Sequence, residues 1–161
     1  MNNYLKLYNL SKKYEKNKSL KVLNNINFKF ESGKVYSIIG PSGSGKSTLL
    51  NLLSLIDIPS SGYIEFNKMK IDASSSIQND YIRSNNIGII YQDKNLLSDF
   101  TAVENVLLPN LLISNNKIKS TQLAKKLIKK FDLTSRLNHY PSELSGGENQ
   151  RIAIARALIN E

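Results

Sequence analysis

Apolar residues fall along this 161-residue chain in several distinct rhythms. In INFKF (Ile26 to Phe30) apolar and polar positions alternate, and GYIEF (Gly62 to Phe66) does the same; that is the period of a strand with one buried face. VYSIIG (Val35 to Gly40) and IGIIYQ (Ile87 to Gln92) are short, β-branched and almost free of polar residues, so both read as strands of a buried parallel sheet. KSTLLNLLSLI is a leucine-rich helix closed by IPSSG, and ESGK is a turn. IDASSSIQNDYIRSNN is polar and reads as loop with a short helix. TAVENVLLP opens with Thr101 and has Glu104 three residues on, the spacing of a capping box. STQLAKKLIKKF sets Leu123, Leu127, Ile128 and Phe131 on one face and lysines on the other. RLNHYPSEL is a loop leading into a last helix. Strands alternating with helices predict an α/β fold with a parallel sheet.

Composition narrows this only slightly. The chain is long enough for one domain with a core. It has no cysteine, which excludes disulfides and thiolate metal sites. The N-terminus lacks the apolar stretch of a signal peptide, and no run approaches the roughly 18 apolar residues of a membrane span. The expectation is a soluble protein, or one that docks on a membrane through a partner. Net charge is +9, from 22 basic and 13 acidic residues. Only four of the cations are Arg, and the lysines are spread along the chain, so they read as a solvated surface and nucleic acid is not the expected partner.

The strongest chemistry lies in GPSGSGKST, Gly40 to Thr48. Gly40, Gly45, Lys46 and Ser47 satisfy G-x-x-x-x-G-K-[ST], after a buried-strand pattern and before an apolar helix. Glycines let backbone N–H groups wrap a polyphosphate, and the helix start adds its partial positive charge. Lys46 is expected to reach the β- and γ-phosphates and Ser47 to ligate Mg²⁺. A second stretch, LSGGENQRIAIARALINE, closes the sequence. Ser145 and Glu148 have capping-box spacing. That leaves Gly146 and Gly147 unexplained in a first turn, where each costs up to about 1 kcal/mol of helix propensity. Two side-chain-free residues there present a bare row of N–H donors, a second anion cradle.

These landmarks together resemble the nucleotide-binding domain of ABC ATPases: Tyr14, the phosphate loop, Gln92 closing IGIIYQ, then Pro141 and Leu144 leading into Ser145, Gly146 and Gly147, with Gln150 and Arg151 after them. The resemblance implies a P-loop NTPase fold with an N-terminal antiparallel β part and a helical signature subdomain. The expected divisions are a core over about 1–92, a helical subdomain over 93–145 and the signature helix over 146–161. ATP and Mg²⁺ are the implied cofactors. Tyr14 would stack on adenine, and Gly40, Pro41, Ser42, Gly43, Ser44, Gly45, Lys46, Ser47 and Thr48 would hold the triphosphate. Lys46 and Gln92 would be catalytic, and Ser47 with Gln92 would face the metal. Ser145, Gly146, Gly147 and Glu148 would cap the γ-phosphate held by a second such domain, paired head to tail.

A membrane permease is the other implied partner, with the ATPase on the cytoplasmic face of the plasma membrane. GPSGSGKSTLLNLLSLIDIPSSG, NLLSDFTAVENVLLP and YPSELSGGENQRIAIARAL are similar to bacterial exporters of the lipoprotein-releasing and macrolide-efflux type, with amino-acid and antimicrobial-peptide exporters close to them. A silent nucleotide-binding regulatory module and a soluble ABC ATPase are the alternatives. Family members continue into an apolar strand with an Asp and a water-activating Glu, then a strand with a switch histidine. None of this follows within the 161 residues. The expectation is the N-terminal part of an ATPase, with an incomplete central sheet, inactive and poorly stable by itself. His139 precedes the signature stretch and reads as loop packing. Asp57, Asp93 and Asp99 end no apolar strand and are not expected to be catalytic.

Overall fold

A computed structural model describes residues 4–14, 21–71 and 76–160. Residues 72–75, part of the stretch expected as loop with a short helix, and the final Glu161 lie outside the described residues. The chain divides into two compact units, Met1–Tyr81 and Ile82–Glu161.

The first unit is built on a four-stranded antiparallel sheet in the order β2-β1-β3-β4. Its strands are β1 (Tyr4–Lys13), β2 (Lys21–Glu31), β3 (Ser61–Phe66) and β4 (Met69–Lys70). β1 carries no clean alternation, and the reason is visible in its pairing. Its ladder with β2 is regular from Tyr4↔Glu31 to Leu7↔Phe28, then shifts register before Leu10↔Ile26. Asn9 (φ 48°) and Asn25 (φ 52°) take left-handed backbone angles at this bulge. The Asn9 N–H donates to Asn27 Oδ1 at 2.9 Å, and the Asn27 amide donates back to Asn9 Oδ1 at 2.8 Å. The extra residue turns Leu7 and Leu10, three apart, both into the core, at 1% and 0% exposure. Across the sheet Tyr8 stacks on Tyr63, with ring centroids 4.6 Å apart. Helix α1 (Lys46–Leu53) buries Leu52 in this unit.

The expected buried strands differ most from the structure. Residues 35–40 and 87–92 form no ladder, so neither belongs to a sheet among the described residues. Val35 is 97% and Ile39 89% exposed. A parallel strand is buried only when strands flank it and helices cover both faces; an apolar run alone cannot supply these. The segment after β2 is held locally instead. The Glu31 N–H donates to the Tyr36 hydroxyl at 3.0 Å, and the Tyr36 ring meets Phe28 and Phe30 edge-on at 5.6 and 5.1 Å.

Helix α2 (Ser76–Asn86) is longer than expected and spans the division between the units. The core of the second unit is formed by α3 (Ala102–Ser114), α4 (Lys117–Lys130) and α5 (Gly146–Leu158), with 3-10 turns at Thr134–Arg136 and Pro141–Glu143 between the last two. Their core joins Val106 and Leu107 of α3, Ala124 and Ile128 of α4, and Ile152 and Ala155 of α5. Leu123, Leu127 and Phe131 pack against it as the periodicity predicts, but only in part buried. α3 starts at its expected capping box, with Thr101 N–H donating to Glu104 Oε2 at 2.8 Å. It runs through Pro109 and stops at Asn115 (φ 48°). α4 starts earlier than STQLAKKLIKKF implied, because Asn116 caps it by accepting from the Lys119 N–H at 3.0 Å.

Gly62 (φ 78°) in β3 lies against the β1 bulge. A Cβ there would come within 2.3 Å of the Asn9 carbonyl oxygen and 2.4 Å of that of Tyr8. Gly62→Ala must therefore move backbone as well as strain it. Its expected destabilisation in the intact protein is about 2 to 3 kcal/mol, read as a lowered denaturation midpoint in urea.

Candidate nucleotide-binding site

The phosphate-loop residues curl between the end of residues 35–40 and α1. Ser44 N–H donates to the Pro41 carbonyl at 3.3 Å, and a Cβ on Gly40 would sit 2.7 Å from Ser44 Oγ. Gly45 caps α1 with φ 90° and no side-chain hydrogen bond. A Cβ there would press on Leu23 Cδ2 at 3.0 Å and on the Val22 carbonyl oxygen at 3.1 Å. The loop thus rests on the start of β2, and only glycine suits that position. The first-turn N–H groups of Lys46, Ser47 and Thr48 have no intrahelical acceptors, and the N-cap residue gives them no side-chain acceptor. Lys46 Nζ donates to the carbonyls of Gly40 at 2.9 Å and Pro41 at 2.7 Å. An ammonium has three donors, so two hold it in the mouth of the loop and one remains. The Ser47 side of this turn is exposed. Bare amides, a helix dipole and a lysine head converge here, which is the donor set for a polyphosphate.

Tyr14 follows β1 in the same unit, 43% exposed. Its hydroxyl donates to Asp57 Oδ2 at 3.1 Å. Asp57 also pairs with Lys12 at 2.5 Å. Burial pushes the Asp57 carboxyl up, but its hydrogen bonds from Lys12, the Ile58 N–H and Tyr14 outweigh this and hold it below the usual value.

The second unit carries Gln92 and the signature residues. Gln92 is exposed in a turn. Just after it Lys94 (φ 61°) and Asn95 (φ 43°) bend the chain, and Arg156 of α5 grips that bend. Arg156 donates to the Asn95 carbonyl at 2.6 Å and the Lys94 carbonyl at 2.9 Å. Asn105, 1% exposed, accepts from the Leu97 N–H at 2.8 Å, and its amide faces the carbonyls of Leu97, Phe100 and Thr101 at 2.9 to 3.1 Å. Neither Arg156 nor Asn105 is signalled by the sequence pattern; each sits inside an ordinary helical rhythm.

At the start of α5 the capping box forms. Ser145 N–H donates to Glu148 Oε2 at 2.8 Å, and Glu148 N–H to Ser145 Oγ at 3.3 Å. Arg136, also unflagged by the pattern, adds Nε to Glu148 Oε1 at 2.8 Å. Gly146 and Gly147 are the first two residues of the helix. A Cβ on Gly146 would find nothing closer than Lys94 Nζ at 3.6 Å, and one on Gly147 only Arg151 at 4.0 Å. The chain's own packing therefore gives no reason for either glycine.

The other candidates take ordinary places. The His139 carbonyl accepts from the Ala102 N–H at 2.8 Å, and Asp99 accepts from Ser98 Oγ at 3.3 Å. Among the described residues no group of His, Asp and Glu could hold a metal by itself, and no helix is long and apolar enough to cross a membrane.

The profile of the ABC transporter family matches residues 23–161. With that match covering most of the chain, the protein belongs to the ABC transporter family. It is 50% identical to the lipoprotein-releasing system ATP-binding protein LolD of Wigglesworthia glossinidia brevipalpis, over 99% of this chain and 71% of the relative. It is 42% identical to the LolD of Saccharophagus degradans, over 98% of this chain and 69% of the relative. Among solved structures it resembles the dimeric structure of MJ0796, a bacterial ABC transporter cassette, with a TM-score of 0.85 and 37% identity. That likeness covers 97% of this chain and 69% of the cassette. The same cassette in a post-hydrolysis state bound to ADP and Pi matches equally well.

The three hydrogen bonds on Glu148, led by that from Arg136, hold its carboxyl at about 2, against an ordinary 4.5. A depressed carboxyl stabilises the fold fully above the unfolded value, and that stabilisation fades as pH falls toward the folded one. The start of α5 should therefore weaken between about pH 4.5 and pH 2. An NMR titration of the Glu148 carboxyl carbon reads this directly. Glu148→Gln should lower stability at neutral pH and remove that part of its acid dependence.

Proposed function

We propose that this chain binds Mg·ATP at Gly40 to Thr48 and acts as the ATP-binding subunit of a membrane transporter of the lipoprotein-releasing type. The observation that carries the reading is the glycine loop at the uncapped start of α1, with the Lys46 ammonium folded into its mouth. Backbone amides of residues 43–48 would bind the phosphates, Lys46 would neutralise their charge, and Ser47 would complete the metal shell. The relatives named for lipoprotein release support the export reading. They also favour a permease at the cytoplasmic face of the membrane as the partner.

The glycines of α5 act toward a second copy. Open space over Gly146 and Gly147 supports a close approach from outside the chain, and a cassette known as a dimer supports the pairing. Ser145, Gly146, Gly147 and the Glu148-capped helix start would meet the γ-phosphate bound by the partner's loop. Gln92, in a bend fixed to α5 by Arg156, would report the γ-phosphate and its metal to the permease. Hydrolysis further requires a positioned water. Asp57 is paired with Lys12 and Asp99 with Ser98, so neither carboxylate is assigned that role.

In the intact protein, Lys46→Ala should lower ATP affinity at least about 100-fold, since a charge-assisted contact and a loop brace are lost together. Calorimetry on folded protein measures this, and unchanged affinity would sink the assignment. Gly147→Asp places a carboxylate where the partner's phosphate would dock. Monomer ATP binding should survive while ATP-driven dimerisation, followed by light scattering, is lost; collapse of monomer binding instead would refute the action in trans.

A further inference from the structure

We infer that Asp57 is a positioning residue for the nucleotide base: by holding the Tyr14 hydroxyl it fixes the ring that adenine stacks on. This rests on the reading of Tyr14 as the adenine contact. It goes beyond it by assigning the device that orients the ring, the face left for the base, and the residue that links base to phosphate recognition.

Tyr14 stands one residue beyond the end of β1. A ring on such a stem would rotate freely, and a loose stacking surface loses affinity to the entropy of ordering it. The structure removes that freedom from one side. The turn after α1 is fastened along the end of β1: Ser60 N–H donates to the Ser11 carbonyl at 2.9 Å, and Lys13 N–H to Ser60 Oγ at 3.0 Å. This brings Asp57 opposite Tyr14. One carboxylate oxygen accepts from Lys12 Nζ and from the Ile58 N–H at 2.7 Å, and the other accepts from the Tyr14 hydroxyl at 3.1 Å. Lys12 is itself 9% exposed and donates further to the Ile58 carbonyl at 2.6 Å. The carboxylate is thus a charged post, held by three hydrogen bonds.

Lys12 also decides which face of the ring is used. Its ammonium lies 5.0 Å from the Tyr14 ring centroid, within cation–π range. That face is taken, so the base stacks on the opposite one. Asp57 belongs to the turn that follows α1, and α1 begins at the phosphate loop. One eight-residue helix therefore has the phosphate cradle at its first turn and the anchor of the base platform just past its last. Their separation is set by a rigid rod.

The test compares affinities for ATP and for inorganic tripolyphosphate, which lacks the base, in the intact protein. Their ratio isolates what Tyr14 does. Tyr14→Ala removes the ring and should lower the ratio about tenfold or more. Tyr14→Phe keeps the ring and loses only the hydroxyl anchor; it should lower the ratio about threefold to tenfold. Asp57→Asn should lower the ratio in the parent and add nothing in a Tyr14→Phe background, because both changes cut the same bond. If Tyr14→Ala leaves the ratio unchanged, Tyr14 does not meet the base, and the reading and the inference fall together. If Tyr14→Ala lowers it while Tyr14→Phe does not, the stacking stands and the Asp57 anchor is overturned. An Asp57→Asn effect equal on both ligands also overturns it, since that is the mark of a general structural role.

Discussion

Backbone amides cannot be moved closer to a ligand than their own side chains permit, and both candidate cradles in this protein follow from that limit. At α1 the limit is met by leaving the helix uncapped. Gly45 offers no side-chain acceptor, its backbone takes a left-handed turn, and it leans on β2 so closely that a methyl group would press on the Val22 carbonyl. The amides of the first turn are left without a side-chain acceptor from Gly45, and Lys46 holds its ammonium over the loop from within the same turn.

α5 solves the same problem differently. Its first orphan amides are divided between two uses. Ser145 and Glu148 satisfy one another through the capping box, with Arg136 fixing the carboxylate. Gly146 and Gly147 lie between them, bare and unobstructed by their own chain. A helix start that is both capped and open is ordered by its own chain while its first turn stays clear, which suits the role proposed for it toward a second copy. α1, in contrast, relies on its loop and on Lys46 for order.

The second unit ties its candidate site residues to one helix. Arg156 reaches from the last turn of α5 to the two strained residues after Gln92, and Asn105 knots the next turn of chain through four hydrogen-bonding groups. The bend that presents Gln92 is thereby a property of α5 and α3 rather than of the loop's own sequence. Removing either side chain would take away the hydrogen bonds that hold this bend, each contributing about 0.5 to 1.5 kcal/mol.

Local chemistry was legible in the residues themselves. GPSGSGKST gave a glycine loop at a helix start, TAVE and SGGE gave capping boxes, and STQLAKKLIKKF gave an amphipathic helix, because each depends on side chains within about one turn of each other. β1 was not legible. Its bulge at Asn9 cancels the alternation a strand should show, and only pairing with Asn27 of β2, 18 residues on, makes that conformation favourable. VYSIIG and IGIIYQ show the converse: apolar, β-branched runs state what a segment could bury, while a ladder needs neighbours, and with the central sheet incomplete both runs stay unpaired among the described residues. The same holds for Asp57, which in sequence is one carboxylate in a turn. Lys12 and Tyr14, more than 40 residues away, give it a role, since an ion pair and a ring anchor are set by distance through space and not along the chain.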